Sequence, residues 1–185
     1  MKRPQLWAAV AGIVLVAAAV VWFVRGDVAG GESIALLDRI DDAEKRTNVQ
    51  SPEQFSVSEV TIGDETRRAL LALPHSRLIW PVTVPADGWL EVAFAIAPDA
   101  WEGAEEADGV QFRVGVSDGR IYDELLRQLV DPTRDRRWFT VRLDLSAYEG
   151  RTVNVVFNTD PGPPGSTNTR NDRALWGEPR IYSSR

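Results

Sequence analysis

The sequence predicts a mainly β protein in which a single N-terminal transmembrane helix precedes an antiparallel two-sheet sandwich. An unbroken apolar run occupies residues 6–24. Beyond Ser51-Pro52, apolar and polar residues alternate in short segments separated by turn residues, a period typical of half-buried strands. The 185 residues are enough for an anchor and one domain with a single core.

The apolar run has the length and composition of a membrane span. A helix rises about 1.5 Å per residue, so this run just crosses a hydrocarbon core of about 30 Å. Tryptophans lie near both ends, where amphipathic rings favour the headgroup layers, and small residues inside it would allow another helix to approach closely. The span residues on which the prediction depends are Leu6, Trp7, Gly12, Trp22 and Val24.

The basic residues Lys2 and Arg3 favour an N-terminus on the cytoplasmic side of the inner or cytoplasmic membrane. The remaining domain would then be periplasmic or extracellular. The alternative is a cleaved secretory signal, but the run is longer than the usual apolar region of a signal. The chain has no cysteine, which excludes a lipoprotein anchor, disulfides and thiol chemistry.

The predicted organisation is an anchor over 1–25, a hinge with a short helix over 26–54, and the sandwich over 55–185. The helix is expected over 33–46, where Ile34, Leu37 and Ile40 recur at near-helical spacing behind the candidate N-cap Ser33. It would either pack on its own domain or dock onto a membrane partner.

The strand-like part contains at least seven predicted strands. Pro85-Ala86-Asp87-Gly88 and Ser117-Asp118-Gly119 are strong turn signals. Residues 121–130 fit a helix as well as an irregular strand. The predicted strands cover 55–62, 78–84, 89–95, 110–116, 139–145, 153–157 and 174–182.

Three stretches, 108–114, 137–153 and 174–181, together resemble a galactose-binding-like jelly roll, the fold of many carbohydrate-binding modules of bacterial envelope proteins. The second stretch contains Trp138-Phe139-Thr140-Val141-Arg142-Leu143-Asp144-Leu145-Ser146-Ala147-Tyr148-Glu149-Gly150. The resemblance implies a binding domain, but no position reproduces a known set of sugar contacts, so it locates no binding site.

The resemblance gives its matched residues structural roles. Gly150 suits a turn with positive φ, and Ser146 and Tyr148 would close the corner between two strands. Trp138 and Trp176 would fill the core.

Composition and charge exclude several functions. The formal net charge is −6, and every acidic residue follows Arg25, so the domain after the span is strongly acidic and nucleic-acid binding is not expected. His75 is the single histidine, which leaves no catalytic triad and no clustered ligands for zinc or copper. We therefore predict that the chain is not an enzyme.

The acidic loop 99–108 is the most unusual exposed segment. Three interpretations of its carboxylates are open. They are solvated surface charge, a calcium site or, least favoured, an acid–base pair for glycoside hydrolysis. A calcium site would use Glu105, Glu106 and Asp108, and no other cofactor is expected.

Trp101 lies within this acidic loop, where it either packs onto the sandwich or serves a ligand or partner as a stacking surface. Two other loops are long. Loop 131–137 supplies the candidate contacts Arg134, Arg136 and Arg137, whereas loop 159–172 is too rich in Pro and Gly for regular structure.

Two functions follow from these features. The first is an accessory or structural subunit of a larger membrane complex, for example respiratory or photosynthetic. Its span would contact the bilayer and integral membrane subunits, while the sandwich covers their extracytoplasmic face. The alternative is a membrane-tethered carbohydrate-binding domain that recognises cell-envelope glycans, with binding lost in Trp101→Ala.

Overall fold

The computed structural model describes residues 33–102 and 106–183, and within these ranges the protein is a sandwich of two antiparallel sheets. Short 3₁₀ helices occupy Leu36–Arg39, Pro98–Ala100 and Ser146–Tyr148. The strands are β1 (Ser33–Ala35), β2 (Glu44–Thr47), β3 (Val57–Ile62), β4 (Glu65–Leu71), β5 (Ser76–Thr83), β6 (Trp89–Ile96), β7 (Val110–Ser117), β8 (Tyr122–Val130), β9 (Phe139–Asp144), β10 (Thr152–Pro161) and β11 (Ala174–Tyr182).

Sheet A has the strand order β3-β4-β11-β6-β9, and β1 also pairs with β11. Sheet B has the order β2-β5-β10-β7-β8. The chain crosses repeatedly between the two sheets, so neither sheet is a simple meander. This confirms the prediction of a mainly β fold with two antiparallel sheets.

The core lies between the two sheets and is rich in aromatic rings. Trp176 is fully buried there, with its ring centroid 4.9 Å from that of Phe112 and 4.7 Å from that of Phe157. Its indole nitrogen donates a hydrogen bond of 3.1 Å to Thr159 Oγ1, so the polar atom of this buried side chain has a partner. The predicted core position of Trp176 is confirmed.

A second apolar cluster covers the outer face of sheet A. Trp138 belongs to it and is only 8% exposed, so this residue is buried, although not between the sheets. Its indole nitrogen donates to the backbone oxygen of Glu65 at 3.3 Å. The other members of this outer cluster are small or aliphatic, and comprise Ile62, Ala69, Leu71, Ala93, Ala95, Ala97 and Leu175.

The predicted helix over 33–46 is wrong. The segment instead forms β1, one 3₁₀ turn and β2, so it adds a strand to each sheet, and the sandwich begins well before residue 55. Leu36 and Leu37 lie in the core, and this 3₁₀ turn produces the local spacing that resembled an α-helix. Hydrogen bonding to β11 and β5 outweighs a weak helical preference.

The ambiguous segment 121–130 forms strand β8. Its register against β7 shifts between Val114 and Gly115, so one extra residue is accommodated on β8. Both Leu125 and Leu126 consequently pack against the core. Two adjacent inward residues break the strict alternation of a strand, which explains why the sequence also fitted a helix.

The corner between β9 and β10 has the predicted form. Residues 146–148 make one 3₁₀ turn, and Gly150 adopts a φ of 69°, the left-handed conformation that glycine favours. The Tyr148 hydroxyl donates a hydrogen bond to the Asp123 carboxylate on β8, which ties the corner to sheet B.

No helix among the described residues is long and apolar enough to cross a membrane. The predicted span, with Leu6, Trp7, Gly12, Trp22 and Val24, lies outside the described residues.

Candidate functional site

The outer face of sheet B carries a continuous row of polar residues across all five strands. In strand order the row contains Arg46, Arg77, Asn158, Arg113 and Arg127, each the register partner of the next. Directly paired residues of antiparallel strands point to the same side of a sheet. We call this set the arginine row.

The strand sequences explain why this row faces outward. The sequence neighbours of three row members are buried in the core, namely Leu78, Phe157 and Val114. Side chains alternate along a strand, so the neighbouring polar residue must lie on the opposite face.

Most arginines of the row are neutralised by carboxylates. Arg113 Nη2 lies 2.6 Å from Asp160 Oδ2, and its Nη1 lies 3.5 Å from Glu124 Oε2. Arg127 also binds Glu124 through two hydrogen bonds of 2.7 and 2.8 Å. These hydrogen bonds from Arg127 are the main reason that the pKa of Glu124 is lowered.

Arg77 differs from the other arginines of the row. Arg46 pairs with Glu44 at 2.6 Å, whereas Arg77 forms no ion pair within the described residues. Arg77 Nε donates to Asn158 Oδ1 at 2.8 Å, and its Cζ lies 6.0 Å from the centroid of the Tyr122 ring. A planar amide and an aromatic ring therefore hold this guanidinium in place.

Tyr122 lies across the outer face of sheet B because position 115 is glycine. A Cβ atom built on Gly115 would be 2.5 Å from Tyr122 Cζ and 2.6 Å from its hydroxyl oxygen. The ring is 37% exposed, and Asn158 Nδ2 donates to its hydroxyl at 3.3 Å. Partial burial raises the pKa of this phenol.

An open groove of about 440 Å³ runs beside Arg77 and Asn158. Residues 46–48 of β2 and the loop after it line one side, and Arg113 and Asp160 line the other. His75 lies at the rim, with Nδ1 3.7 Å from Asp160 Oδ1. An exposed aromatic ring beside planar hydrogen-bonding groups suits recognition of a small polar molecule.

Trp101 packs onto the sandwich. It is partly buried against both apolar clusters, and its buried indole nitrogen has no hydrogen-bond partner in the described residues. Arg136 covers the ring, with Cζ 5.6 Å from the centroid, and donates from Nε to the backbone oxygen of Pro132 at 3.1 Å. The ring thus packs in part onto the sandwich, and its role toward a ligand or partner stays a prediction.

The other predicted contact residues do not join Trp101. Arg134 lies on the exposed loop and pairs with Asp131 at 2.7 Å. Arg137 Cζ lies 4.7 Å from the centroid of the Phe139 ring. Of the predicted set, only Trp101 and Arg136 come together, and a contact role for any of them stays a prediction.

The residues proposed for calcium also separate in the structure. Glu105 lies outside the described residues, and Glu106 pairs with Arg170 at 2.7 Å on the surface. Asp108 is different, because Ser166 donates to its Oδ2 while its Oδ1 is buried without a partner in the described residues.

The buried neighbour of Asp108 is Asp172, which the sequence did not indicate. Asp172 is 2% exposed, and neither of its carboxylate oxygens has a hydrogen-bond partner in the part of the chain described. Burial, and secondarily the charge of Asp108, raises the pKa of Asp172 to about 8. Gly162 leaves space for this pair, since a Cβ there would lie 2.5 Å from Asp108 Oδ2.

The buried carboxylate of Asp172 and the buried Oδ1 of the partly buried Asp108, which have no partner in the described residues, fit a hard divalent cation. Ca²⁺ takes carboxylate, carbonyl and water oxygens and would neutralise both charges. Across residues 33–102 and 106–183, no group of three or more His, Cys, Asp or Glu side chains is placed to hold a metal ion. Asp108 and Asp172 would therefore need neutral oxygen ligands to complete a site.

No protein-family model matches the chain. A curated relative, an uncharacterised protein of Archaeoglobus fulgidus, is 37% identical over 103 residues. The match covers 54% of this chain and 25% of the relative, so the chain spans only about a quarter of that protein's length.

Solved structures give the fold more directly. The second CBM51 module and INT domains of Clostridium perfringens ZmpB match with a TM-score of 0.61, 12% identity, and coverage of 82% of this chain and 32% of that one. The CBM51 of Clostridium perfringens GH95 in complex with methyl-galactose matches with a TM-score of 0.54, 11% identity, and coverage of 81% and 99%.

Tandem CBM51 modules of a family 98 glycoside hydrolase from Streptococcus pneumoniae match with a TM-score of 0.53, 14% identity, and coverage of 82% of this chain and 47% of theirs. These similarities, together with the two-sheet topology, show that the described part of the chain has the jelly-roll fold of carbohydrate-binding modules.

Proposed function

We propose that this chain is a noncatalytic glycan-binding domain and that the saccharide binds on the outer face of sheet B, over Tyr122. The observation that carries the proposal is the Tyr122 ring, which lies across Gly115 and remains partly exposed beside Asn158 and Arg77. The fold of carbohydrate-binding modules supports a role of this class.

The chemistry of a sugar fits these groups. One face of a pyranose ring is lined by C–H bonds and can lie on an aromatic ring, while its hydroxyls need donors and acceptors at the edge. Asn158 and Arg113 supply donors there, and Asp160 supplies acceptors. The groove is open along sheet B, so a segment of a longer polymer could lie in it.

The same face is poorly suited to catalysis. A glycoside hydrolase needs one carboxyl that is protonated near neutral pH, which requires a raised pKa. Glu124 has a lowered pKa because Arg127 binds it in two hydrogen bonds. Asp160 is held by Arg113 and lies beside the exposed His75. These carboxylates therefore contribute to binding in our proposal.

The test is binding of the full-length chain, purified in mild detergent, to a panel of cell-envelope polysaccharides. We expect one class of polymer to bind, and Tyr122→Ala to weaken that binding at least tenfold while the folded β spectrum is kept. Tyr182→Ala is the matched control, because Tyr182 stacks on Trp89 at 4.4 Å on the outer face of sheet A. No binding across the panel, or equal losses in both variants, would reject the proposal.

The membrane-related expectations stay predictions. Anchoring at residues 6–24 would hold the domain at the cell envelope, where glycans are abundant. A role as accessory subunit among integral membrane proteins has no supporting feature in residues 33–102 and 106–183. A mild-detergent pull-down that recovers stoichiometric membrane subunits would favour that role over the glycan-binding one.

We also propose that Asp108 and Asp172 hold a structural Ca²⁺ ion. The unpaired, buried oxygens of this pair carry the proposal. The ion would join Asp108, just before β7, to Asp172, just before β11. Millimolar CaCl₂ should raise the midpoint of thermal unfolding relative to chelated protein, and Asp172→Asn should remove that increase. An unchanged midpoint in the wild-type chain would rule out the site.

A further inference from the structure

We infer that the saccharide bound on sheet B carries a carboxylate, and that Arg77 binds this group through its guanidinium. The inference rests on the proposed glycan-binding function and names its substrate class, a uronic-acid polymer. Arg77 is the member of the arginine row around which the observations converge.

The first observation is charge balance along the row. Arg46, Arg113 and Arg127 each have a carboxylate within 3.0 Å on the same face. Arg77 has no such partner in the described residues, and only its Nε is engaged in a hydrogen bond there. The row therefore presents one positive charge whose two terminal amino groups remain available as donors.

The second observation is that this guanidinium is already positioned. Asn158 Oδ1 accepts from its Nε at 2.8 Å, and the Tyr122 ring lies 6.0 Å from its Cζ. Asn158 is itself 5% exposed and is bonded to the Tyr122 hydroxyl, so its amide is fixed as well. A fixed arginine fork matches the planar geometry of a carboxylate and loses little side-chain entropy on binding.

The third observation is the position of Arg77 relative to the groove. Arg77 and Asn158 line the groove of about 440 Å³, and both also contact Tyr122. A sugar that extends from the ring into the groove would therefore pass over the guanidinium. A neutral sugar would remove water from this charge without neutralising it, which is unfavourable. A uronate would pair with it. Because the chain has a formal net charge of −6, this preference must come from the local contact and not from long-range attraction.

The experiment compares matched acidic and neutral polymers on the full-length chain. The probes are polygalacturonate, alginate and hyaluronate, each tested beside its fully methyl-esterified form. Esterification keeps the sugar ring and its hydroxyls while it removes the negative charge. We expect at least one acidic polymer to bind at least tenfold more tightly than its ester.

Three variants locate the effect. Arg77→Gln should abolish the difference between acid and ester, and Arg77→Lys should retain part of it, because the charge remains while the fork is lost. Arg142→Gln is the control, since this arginine lies on the outer face of sheet A with Glu91 at 2.8 Å and should leave the difference unchanged. Circular dichroism and urea unfolding verify that each variant is folded.

The outcomes separate the two proposals. Equal binding of an acid and its ester, both weakened by Tyr122→Ala, would overturn the carboxylate inference and leave the glycan-binding function standing. Preference for the acid that survives in Arg77→Gln would also overturn it. Binding of neither form of any polymer, together with an empty glycan panel, would overturn both.

Discussion

Each outer face of the sandwich carries an aromatic ring beside a glycine, but the two aromatic residues differ in their exposure to solvent. On sheet A, a Cβ added to Gly177 would lie 3.1 Å from Trp138 Cζ3, and the Trp138 ring is 8% exposed. On sheet B, Gly115 gives similar space to Tyr122, whose ring is 37% exposed. Each face thus uses a glycine to let an aromatic ring lie on it, but only one ring remains accessible.

The surrounding residues account for the difference. The outward positions of β4 and β6 around Trp138 include Ala69, Ala93 and Ala95, which leave room for an indole and make that surface apolar. The outward positions around Tyr122 include arginines and carboxylates, which keep water on the face. The indole of Trp138 therefore buries the apolar surface beneath it, whereas the charged side chains around Tyr122 leave that ring partly exposed.

The largest expected effect is on the free energy of unfolding, which should depend more on the buried ring of sheet A than on the exposed ring of sheet B. Trp138→Ala should lower the free energy of unfolding by about 3–5 kcal/mol, because it empties the space that the indole fills against the small residues of sheet A and removes its hydrogen bond to the backbone oxygen of Glu65. Urea unfolding measures this change. Tyr122→Ala should lower stability by clearly less, and equal losses in the two variants would contradict the distinction between a covered and an open face.

Trp101→Ala should have an intermediate effect on stability and none on saccharide binding. The ring packs against both apolar clusters beneath Arg136, so its removal should lower the free energy of unfolding by roughly 1–3 kcal/mol. Calorimetric unfolding and the polymer-binding assay provide the two readouts. A selective loss of binding at unchanged stability would instead favour the stacking role, which is one of the two alternatives that the sequence left open for this residue.

A separate prediction concerns the pH dependence of stability that arises from the buried Asp172 carboxyl beside Asp108. Asp172 has a folded-state pKa of about 8 against an ordinary value of 3.8, so between these values the folded protein holds a proton that the unfolded chain releases. In chelator, this group should make stability decrease as pH rises from about 4 to about 8, and the decrease should be complete above pH 8.

Asp172→Asn should flatten that decrease and raise the free energy of unfolding at pH 8 in chelator by an amount of order 1 kcal/mol or more. Thermal unfolding at several pH values measures it. Asp160→Asn is a comparison, since Asp160 is held by Arg113 on the outer face. A wild-type pH dependence that is identical in Asp172→Asn would show that the buried pair is not the source.

Much of the fold could be predicted from alternation and turn residues. The segments 110–116 and 139–145 fall on β7 and β9 almost residue for residue, because each is bounded by a turn and has one buried side. The structure of residues 33–46 could not be predicted, since Ile34, Leu37 and Ile40 are spaced like helix residues and only pairing with β11 and β5 makes the segment's two ends strands.

The candidate site was less predictable than the fold. The alternation in two strands predicts an outward arginine in each, at Arg77 and at Arg113. Neither strand by itself reveals which residues of the neighbouring strands lie beside that arginine. Likewise Asp172 lies in a Pro- and Gly-rich loop far along the chain from Asp108, so its burial beside that carboxyl had no sequence signal. Trp101 attracted attention because a large ring among carboxylates is conspicuous, although the sandwich covers it.

By itself, the sequence determined which residues face inward in the regularly alternating strands, where most strands turn, and that thiol, zinc and triad chemistry have no residues to support them. These properties are local, because alternation, turn chemistry and composition act over a few residues. Only the tertiary structure decided the register that aligns Arg46, Arg77, Asn158, Arg113 and Arg127, and the position of Tyr122 over Gly115. Local alternation fixes which face each side chain takes, but which residues stand opposite one another depends on the pairing of strands far apart in the chain.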